Sequence, residues 1–251
     1  MGRAKDIIVK VIPSKAANDF VKKNHYSNKV ASTAELHFGC FLDRKLIGVV
    51  QYGRPINKYL HKDIVEGTLW NEFLELNRMV LIDDTPKNSE SRILGITFKL
   101  IKRNAPHIKW VMTFADATQC GDGTIYRASG FKLISINKSL QLYTLPNGDT
   151  LHLMGLQGGE YGRHRKNMLK RGYTSAKKYM VEVLKGVQLK GQQIKYIKTL
   201  HKNLKLNCKI LPFIEIDNKG AGMYKGKKIT LQERRALSDE VDSNANSKQE
   251  A

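Results

Sequence analysis

The chain has 251 residues, of which 41% are hydrophobic and 26% charged; this suits one large domain, or a domain with an extension, and excludes a disordered chain. No apolar run approaches the roughly 20 residues of a membrane span, the opening Met1-Gly-Arg-Ala-Lys-Asp6 lacks an apolar signal core, and three scattered cysteines, Cys40, Cys120 and Cys208, speak against a zinc knuckle or a disulfide framework and make a reducing cytoplasm the default. Lys and Arg number 43 against 23 acids, a net charge of +20, which favours a polyanionic partner.

In chain order, Asp6–Ile12 reads as a strand that Pro13 breaks, and Ser14 is placed to cap a helix running to about Lys23. Glu35–Leu42 alternates, turns at Asp43-Arg44-Lys45 and returns as Leu46–Tyr52, a hairpin. Residues 57–68 read as a loop. Phe73–Ile82 reads as a strand of imperfect period, because Leu74, Leu76, Arg78 and Val80 on one alternating face are of mixed character. Ser89 or Ser91 opens an amphipathic helix to about Arg103, with Ile93, Ile96, Leu100 and Ile101 as its buried stripe. Lys109–Ala115 is a short apolar strand. Gly121-Asp-Gly123 turns into a short helix, Thr124–Ser129, which Gly130 ends. Strands follow at Phe131–Ile136, Leu140–Leu145 and Leu151–Gly155. One or two basic helices are expected from Arg163 onward, then a strand at Ile210–Ile216.

The charge is unevenly spread. Residues 162–235 carry a net +16, the tail 236–251 carries −3, and residues 1–161 carry +7. Clustered Lys and Arg are rewarded by counterion release when they neutralise phosphates, so this third is expected to contact nucleic acid. The run Arg163, His164, Arg165, Lys166, Lys170 and Arg171, with Tyr173 and Tyr179 interleaved, suits stacking as well as phosphate contact; an exposed helix surface is the structural alternative. Three parts are expected: a catalytic domain over 1–160, a basic nucleic-acid-binding extension packed on it over 161–235, and a flexible acidic tail over 236–251.

The element order gives an α/β layout with a mixed central sheet flanked by helices, and it resembles the GCN5-related N-acetyltransferase (GNAT) arrangement, in which a central hairpin precedes a long strand and the N-terminus of the following helix holds the donor. Tyr126-Arg-Ala-Ser-Gly-Phe131 also resembles the late GNAT signature, a Tyr on a short helix closing with Gly-Phe. The chain contains no G-x-x-x-x-G-K-[ST], G-x-G-x-x-G or H-E-x-x-H. None of its six prolines forms a Pro-Pro pair, which counts against amino-methyltransferases of the Asp/Asn-Pro-Pro-aromatic type.

Candidate chemistry concentrates between apolar strands. Asp116 stands at a strand's C-terminal end, where an α/β sheet faces its ligand; a helix cap or turn former is the alternative. Arg78 sits inside an apolar strand, as an anion or carbonyl clamp or as half of a structural ion pair. Ser89 and Ser91 lie where a helix N-terminus presents free N–H groups to an anion or is simply capped. His25 and Tyr26 follow the first helix, where packing competes with chemistry.

Asn24-His-Tyr-Ser27, the hairpin ending in Gln51-Tyr-Gly53, Glu75-Leu-Asn-Arg-Met79, Asn88-Ser-Glu-Ser-Arg92 and the long stretch Phe114-Ala-Asp-Ala-Thr-Gln-Cys-Gly-Asp-Gly-Thr-Ile-Tyr-Arg-Ala-Ser-Gly-Phe131 together resemble the phage Mom family, over Ile7 to about Ile216. The resemblance implies a GNAT-like transferase that converts adenine in double-stranded DNA to its N6-carbamoylmethyl derivative, protecting phage DNA from restriction in the host cytoplasm. It implies functional roles for His25, Tyr26, Arg78, Ser91 and Asp116. Binding of iron is also proposed for the family, with His25, Tyr26 and Asp116 as N and O ligands. By analogy with the GNAT tyrosine, Tyr126 protonates a leaving group, with core packing as the alternative. Asn88, Ser89, Ser91 and Arg92 form the donor-binding turn.

That turn departs from the Gly-rich R/Q-x-x-G-x-G/A loop of GNAT enzymes, having Glu90 and no glycine until Gly95. A carboxylate beside a pyrophosphate is repulsive unless turned away, which sets acetyl-CoA against other donors. The added atoms of a carbamoylmethyl group are those of a glycyl unit, so an activated glycine such as glycyl-tRNA is a coherent donor and makes tRNA a second partner. Two other readings stand beside this one: an acyl-CoA-dependent N-acetyltransferase acting on protein or RNA, and a non-enzymatic basic DNA-binding protein.

Overall fold

The computed structural model describes residues 2–139, 141–153, 156 and 162–236; Leu140, the end of the strand expected at Leu151–Gly155, Tyr161 and the acidic tail from 237 onward lie outside them. A short 3-10 turn at Arg3–Asp6 leads into β1 (Ile8–Val11) and α1 (Ser14–Asn24). Pro13 occupies the N-cap and Ser14 is already helical, so the expected Ser14 cap is not made. β2 (Ala34–Leu42) and β3 (Lys45–Gly53) form the expected hairpin. Its two turn residues, Asp43 and Arg44, both take positive φ, the backbone that matches the right-handed twist of the flanking strands.

The stretch expected as a loop holds α2 (Lys58–His61) and a 3-10 turn at Lys62–Ile64 before β4 (Phe73–Leu81). Then come α3 (Ser89–Asn104), β5 (Trp110–Asp116), α4 (Thr124–Ala128), β6 (Lys132–Ser139), β7 (Leu142–Thr144), β8 (Thr150–His152), α5 (Gly162–Lys170), α6 (Ala176–Glu182), β9 (Val187–Gln188), β10 (Gly191–Thr199), α7 (Glu215–Asn218), β11 (Met223–Tyr224) and β12 (Lys227–Lys228). No helix among the described residues is long and apolar enough to cross a membrane.

Seven strands form one mixed sheet in the order β1-β2-β3-β4-β5-β10-β6. β10 is its penultimate strand, inserted between β5 and β6 and antiparallel to both, in a stretch expected from the sequence to form basic helices. Its period-2 pattern was hidden by Lys195 and Lys198; Lys195 is accommodated because its ammonium lies 5.5 Å from the centre of the Phe114 ring. Conversely, the strand expected at 210–216 is a single bridge, Leu211 to Leu133, followed by α7.

Helices cover both faces. Ile93, Leu94, Phe98 and Ile101 of α3 join the main core with Phe38, Tyr52, Leu76 and Val111, while Ala17 and Val21 of α1 pack on Val49 and Val80 from the other side. Tyr52 anchors α3 through a 2.6 Å bond to Thr97. β4 and β5 are the parallel pair, in register from Phe73↔Trp110 to Leu76↔Thr113. Beyond that point β4 runs on to Leu81 and β5 to Asp116 without pairing with each other, which leaves a crevice at their C-terminal ends.

Residues 142–188 form an inserted unit between β6 and β10. A three-stranded sheet, β8-β7-β9, and the helices α5 and α6 enclose a second core of Tyr143, Leu151, Leu156, Met168, Tyr179 and Met180. This core gathers residues from both sides of position 161, and β10 returns the chain to the main sheet.

Candidate active site in the crevice between the parallel strands

The crevice is prepared by one extra residue in β4. Gln51 of β3 pairs with Arg78 and Tyr52 with Leu76, so Asn77 is a β-bulge. Without it Leu76, Arg78 and Val80 would share a face. With it Leu76 packs on the α3 side and Val80 on the α1 side, and Arg78 turns with Val80 out of the main core. Bulges commonly re-aim a side chain in this way. The guanidinium is held by two backbone carbonyls, Nε to Lys29 O at 3.1 Å and Nη1 to Asn77 O at 2.7 Å.

Glu75, on the same face, is the carboxyl that the sequence reading did not single out. Burial raises its pKa to about 7, against the opposing pull of the Asn77 side chain, Arg78 and Lys195. Beside it Asn77 Oδ1 is buried with no hydrogen-bond partner among the described residues.

Asp116 ends β5. Its Oδ1 accepts from the Thr118 amide at 2.9 Å, its own carbonyl accepts from the Cys120 and Gly121 amides, and its Oδ2 accepts from the Tyr26 hydroxyl at 3.4 Å. Tyr26 is 49% exposed. Desolvation at its hydroxyl end and the neighbouring Asp116 carboxylate push its pKa well above the ordinary value. His25 is buried behind it, the two rings 4.3 Å apart. The His25 Nδ1 faces both the Ser27 hydroxyl at 2.8 Å and the Ser27 amide at 3.1 Å; burial and then Arg78 lower its pKa to about 4. His25 therefore orders the loop that presents Tyr26. Tyr126 packs against Phe131 and Tyr196; burial raises its pKa and Thr113 is its hydrogen-bond partner, with Arg78 and Glu75 near enough to act on it electrostatically.

Tyr26 and Asp116 open onto a cavity of about 900 Å³ whose far wall is the inserted unit, including Leu142, Leu145, His152 and His164. Lys29 Nζ crosses the gap to donate to Thr150 O at 2.8 Å. His152 stands near Asp116: burial lowers its pKa and the carboxylate opposes that shift. From the basic run, His164 lines the cavity while Arg165, Lys166, Lys170 and Arg171 are exposed around α5; Arg163 lies in the same helix, outside the residues whose side chains are described.

The donor-turn candidates gather elsewhere. Asn88, Ser91 and Arg92 line a recess of about 550 Å³ at the start of α3, with Lys5, Lys87 and Lys99 on its rim. Ser91 donates to Asn88 O at 3.3 Å, so Ser91 belongs to this recess, while Tyr26 and Asp116 line the other cavity. Ser89 is buried with its hydroxyl donating to Pro86 O; the N-cap of α3 is Asn88, with no side-chain cap bond, so neither serine caps the helix. Glu90 does not line the recess, so the repulsion expected from its carboxylate does not apply there.

A metal at His25, Tyr26 and Asp116 is not matched by these contacts. The described residues contain no group of three His, Cys, Asp or Glu side chains suited to a metal ion, and His25 Nδ1 is turned to Ser27.

The loop after Asp116 is locked from beneath. Asp122, 1% exposed, binds Arg127 at 3.1 Å and Arg234, and Arg234 also reaches Asp217 at 3.0 Å. Tyr196 donates to the Asp122 carbonyl. A C-terminal segment thus fixes the turn that carries the catalytic candidates.

The model of the Mom protein family matches residues 6–214. The chain is 32% identical over 210 residues to the protein named methylcarbamoylase mom from Escherichia phage Mu, covering 82% of each. Solved structures similar to it include the ribosomal-protein-S18-alanine N-acetyltransferase from Escherichia coli (9% identity, 80% of this chain and 99% of that one, TM-score 0.42). Another is the IAA acetyltransferase from Bacillus cereus ATCC 14579 (10% identity, 77% and 99%, TM-score 0.39).

Proposed function

The chain belongs to the Mom protein family, and from that premise we propose that it is a transferase that modifies adenine N6 in DNA, yielding N6-carbamoylmethyladenine and thereby masking restriction sites. The observation that carries this reading is the Tyr26–Asp116 pair facing a cavity of about 900 Å³ closed by a basic inserted unit.

Adenine N6 is buried in a duplex and poorly nucleophilic. Extruding the base costs a few kcal/mol, an expense that phosphate contacts along α5 offset. In the cavity Tyr26 lies against the base and Asp116 Oδ2 accepts an N6 proton as that nitrogen attacks the donor carbonyl. Arg78, fixed by two carbonyls, stabilises the oxyanion that develops. Tyr126 protonates the leaving oxygen. Glu75, titrating close to neutrality, restores protons within the same crevice.

An activated glycine accounts for the product atom by atom. Attack of N6 on the glycyl ester of a tRNA breaks the ester C–O bond and forms an amide, and the departing 3′ oxygen takes a proton. The glycyl amine then attacks ring C6, the original C6–N bond breaks, and the former N6 becomes the terminal amide nitrogen of N6–CH2–CONH2. The cationic recess at α3 suits the phosphates of such a donor. It equally suits an acyl-coenzyme A, the second reading, which Glu90 no longer opposes.

The test is mass spectrometry of nucleosides from plasmid DNA in cells that express the chain and are fed isotopically labelled glycine. The expected result is a deoxyadenosine heavier by one labelled glycyl unit. A modified nucleoside without label moves the donor to the second reading; unmodified DNA overturns the function.

A further inference from the structure

We propose that His152, on the inserted unit, reads the extruded base: its imidazole N–H donates to adenine N1 while Asp116 accepts from N6. This rests on the DNA-adenine reading above and deepens it by naming the group that selects the base.

Three observations place His152 for that role. By strand alternation, Leu151 points into the second core while His152 points the other way, and both assignments agree with the burial of Leu151 and the presence of His152 in the cavity lining. Its ring lies near enough to Asp116 for the carboxylate to act on it electrostatically. Finally, β8 is held at a fixed height over the cavity, because Lys29 Nζ, three residues beyond Tyr26, bonds to the Thr150 carbonyl. A carboxylate and an imidazole lining one cavity can offer a base one acceptor and one donor.

The Watson–Crick edge of adenine carries the complement, an amino donor at N6 and an acceptor at N1. Guanine and thymine carry the reverse order, a carbonyl oxygen where Asp116 sits and an N–H where His152 donates, so both bases meet like against like. Cytosine shares adenine's order but is one ring smaller, so it does not reach the pair from the same backbone position. An imidazole donates an N–H in either protonation state, so the contact does not depend on pH.

The test uses the full-length protein and short DNA duplexes in which one adenine stands opposite an abasic site and is free to leave the stack. The matched duplex carries 1-deazaadenine, which keeps N6 and lacks the N1 acceptor. Wild-type protein is expected to bind adenine about tenfold more tightly than 1-deazaadenine. His152→Ala is expected to bind both with the weaker affinity, and His152→Gln, which keeps an N–H donor, to retain part of the preference. A wild-type protein indifferent to N1, or a His152→Ala protein that keeps the full preference, overturns the assignment. If His152→Ala melts well below the wild type, His152→Phe, which keeps a ring of similar bulk and has no N–H, takes its place in the same comparison and is expected to lose the preference. Failure of the broader reading registers separately, as unmodified DNA from cells expressing the wild-type chain.

Discussion

The Tyr26 hydroxyl donates to Asp116 Oδ2 at 3.4 Å although the two residues are 90 positions apart in the chain. Tyr26 comes from the loop after α1 and Asp116 from the end of β5, so the pair exists only when the α1 face and the parallel strands are assembled. Replacing Tyr26 by Phe removes the hydroxyl and keeps the ring. We expect Tyr26→Phe to lower the modification rate about 10- to 100-fold with little change in DNA affinity, and Tyr26→Ala, which also removes the stacking surface, to weaken both. Rates and binding curves for the two variants check this.

Glu75 gives the protein a pH signature. Its carboxyl is held near pKa 7 in the fold against 4.5 for the free side chain, so from about pH 4.5 to 7 the folded state keeps a proton that the unfolded state has released. Stability therefore falls as pH rises through that window and levels off above it, by on the order of 3 kcal/mol at most. Glu75→Gln should flatten the dependence of urea midpoints between pH 5 and 8. It should also remove an ionisation near neutrality from the pH–rate profile.

Asp122 is expected to be the most sensitive structural position. It carries two arginines from different segments, Arg127 and Arg234, while buried. Removing the carboxylate leaves cations without their buried partner, a loss of about 3–5 kcal/mol. Asp122→Ala should lower the denaturant midpoint accordingly. Arg234→Met, which removes one cation and leaves the carboxylate paired with Arg127, should cost less.

The exposed cations of α5 are expected to act on DNA without regard to sequence. Replacing Lys166, Lys170 and Arg171 with Ala should weaken binding to all duplexes alike and reduce the slope of log affinity against log salt by about 2–3. A loss confined to one sequence would assign these residues to base reading instead.

Much of this was legible in the chain. The hairpin is written in the alternation of 35–52 with Asp43-Arg44 between, and Asp116 in its place at the end of a short apolar strand; α3 is there too, although of its expected stripe only Ile93 and Ile101 are buried, with Leu94 and Phe98, while Ile96 lines the recess. The Arg78 anomaly was visible too, as a broken period, but the cause, Asn77 bulging out of β4, depends on register with β3 and cannot be read from one strand. β10 escaped because two lysines in a strand, one lying over Phe114, look like a solvated helix face until the neighbouring strand is known. His152 and Glu75 owe their prominence to burial beside Asp116 and Arg78. Burial of that kind is a tertiary property with no local pattern. The separation of Ser91 from Asp116 has the same origin: both follow strand ends, and only the splay of β4 from β5 sends them to different cavities.

The most direct measurement is the N6-modified adenine content of plasmid DNA from cells producing, at matched levels, the wild-type chain, Asp116→Asn and Arg78→Ala. The account expects modified adenine with the wild type and a fall below detection with both variants, each still folded and still bound to DNA. Wild-type levels of modification from folded Asp116→Asn and Arg78→Ala proteins would contradict it, because the crevice between β4 and β5 would then not be where the chemistry happens.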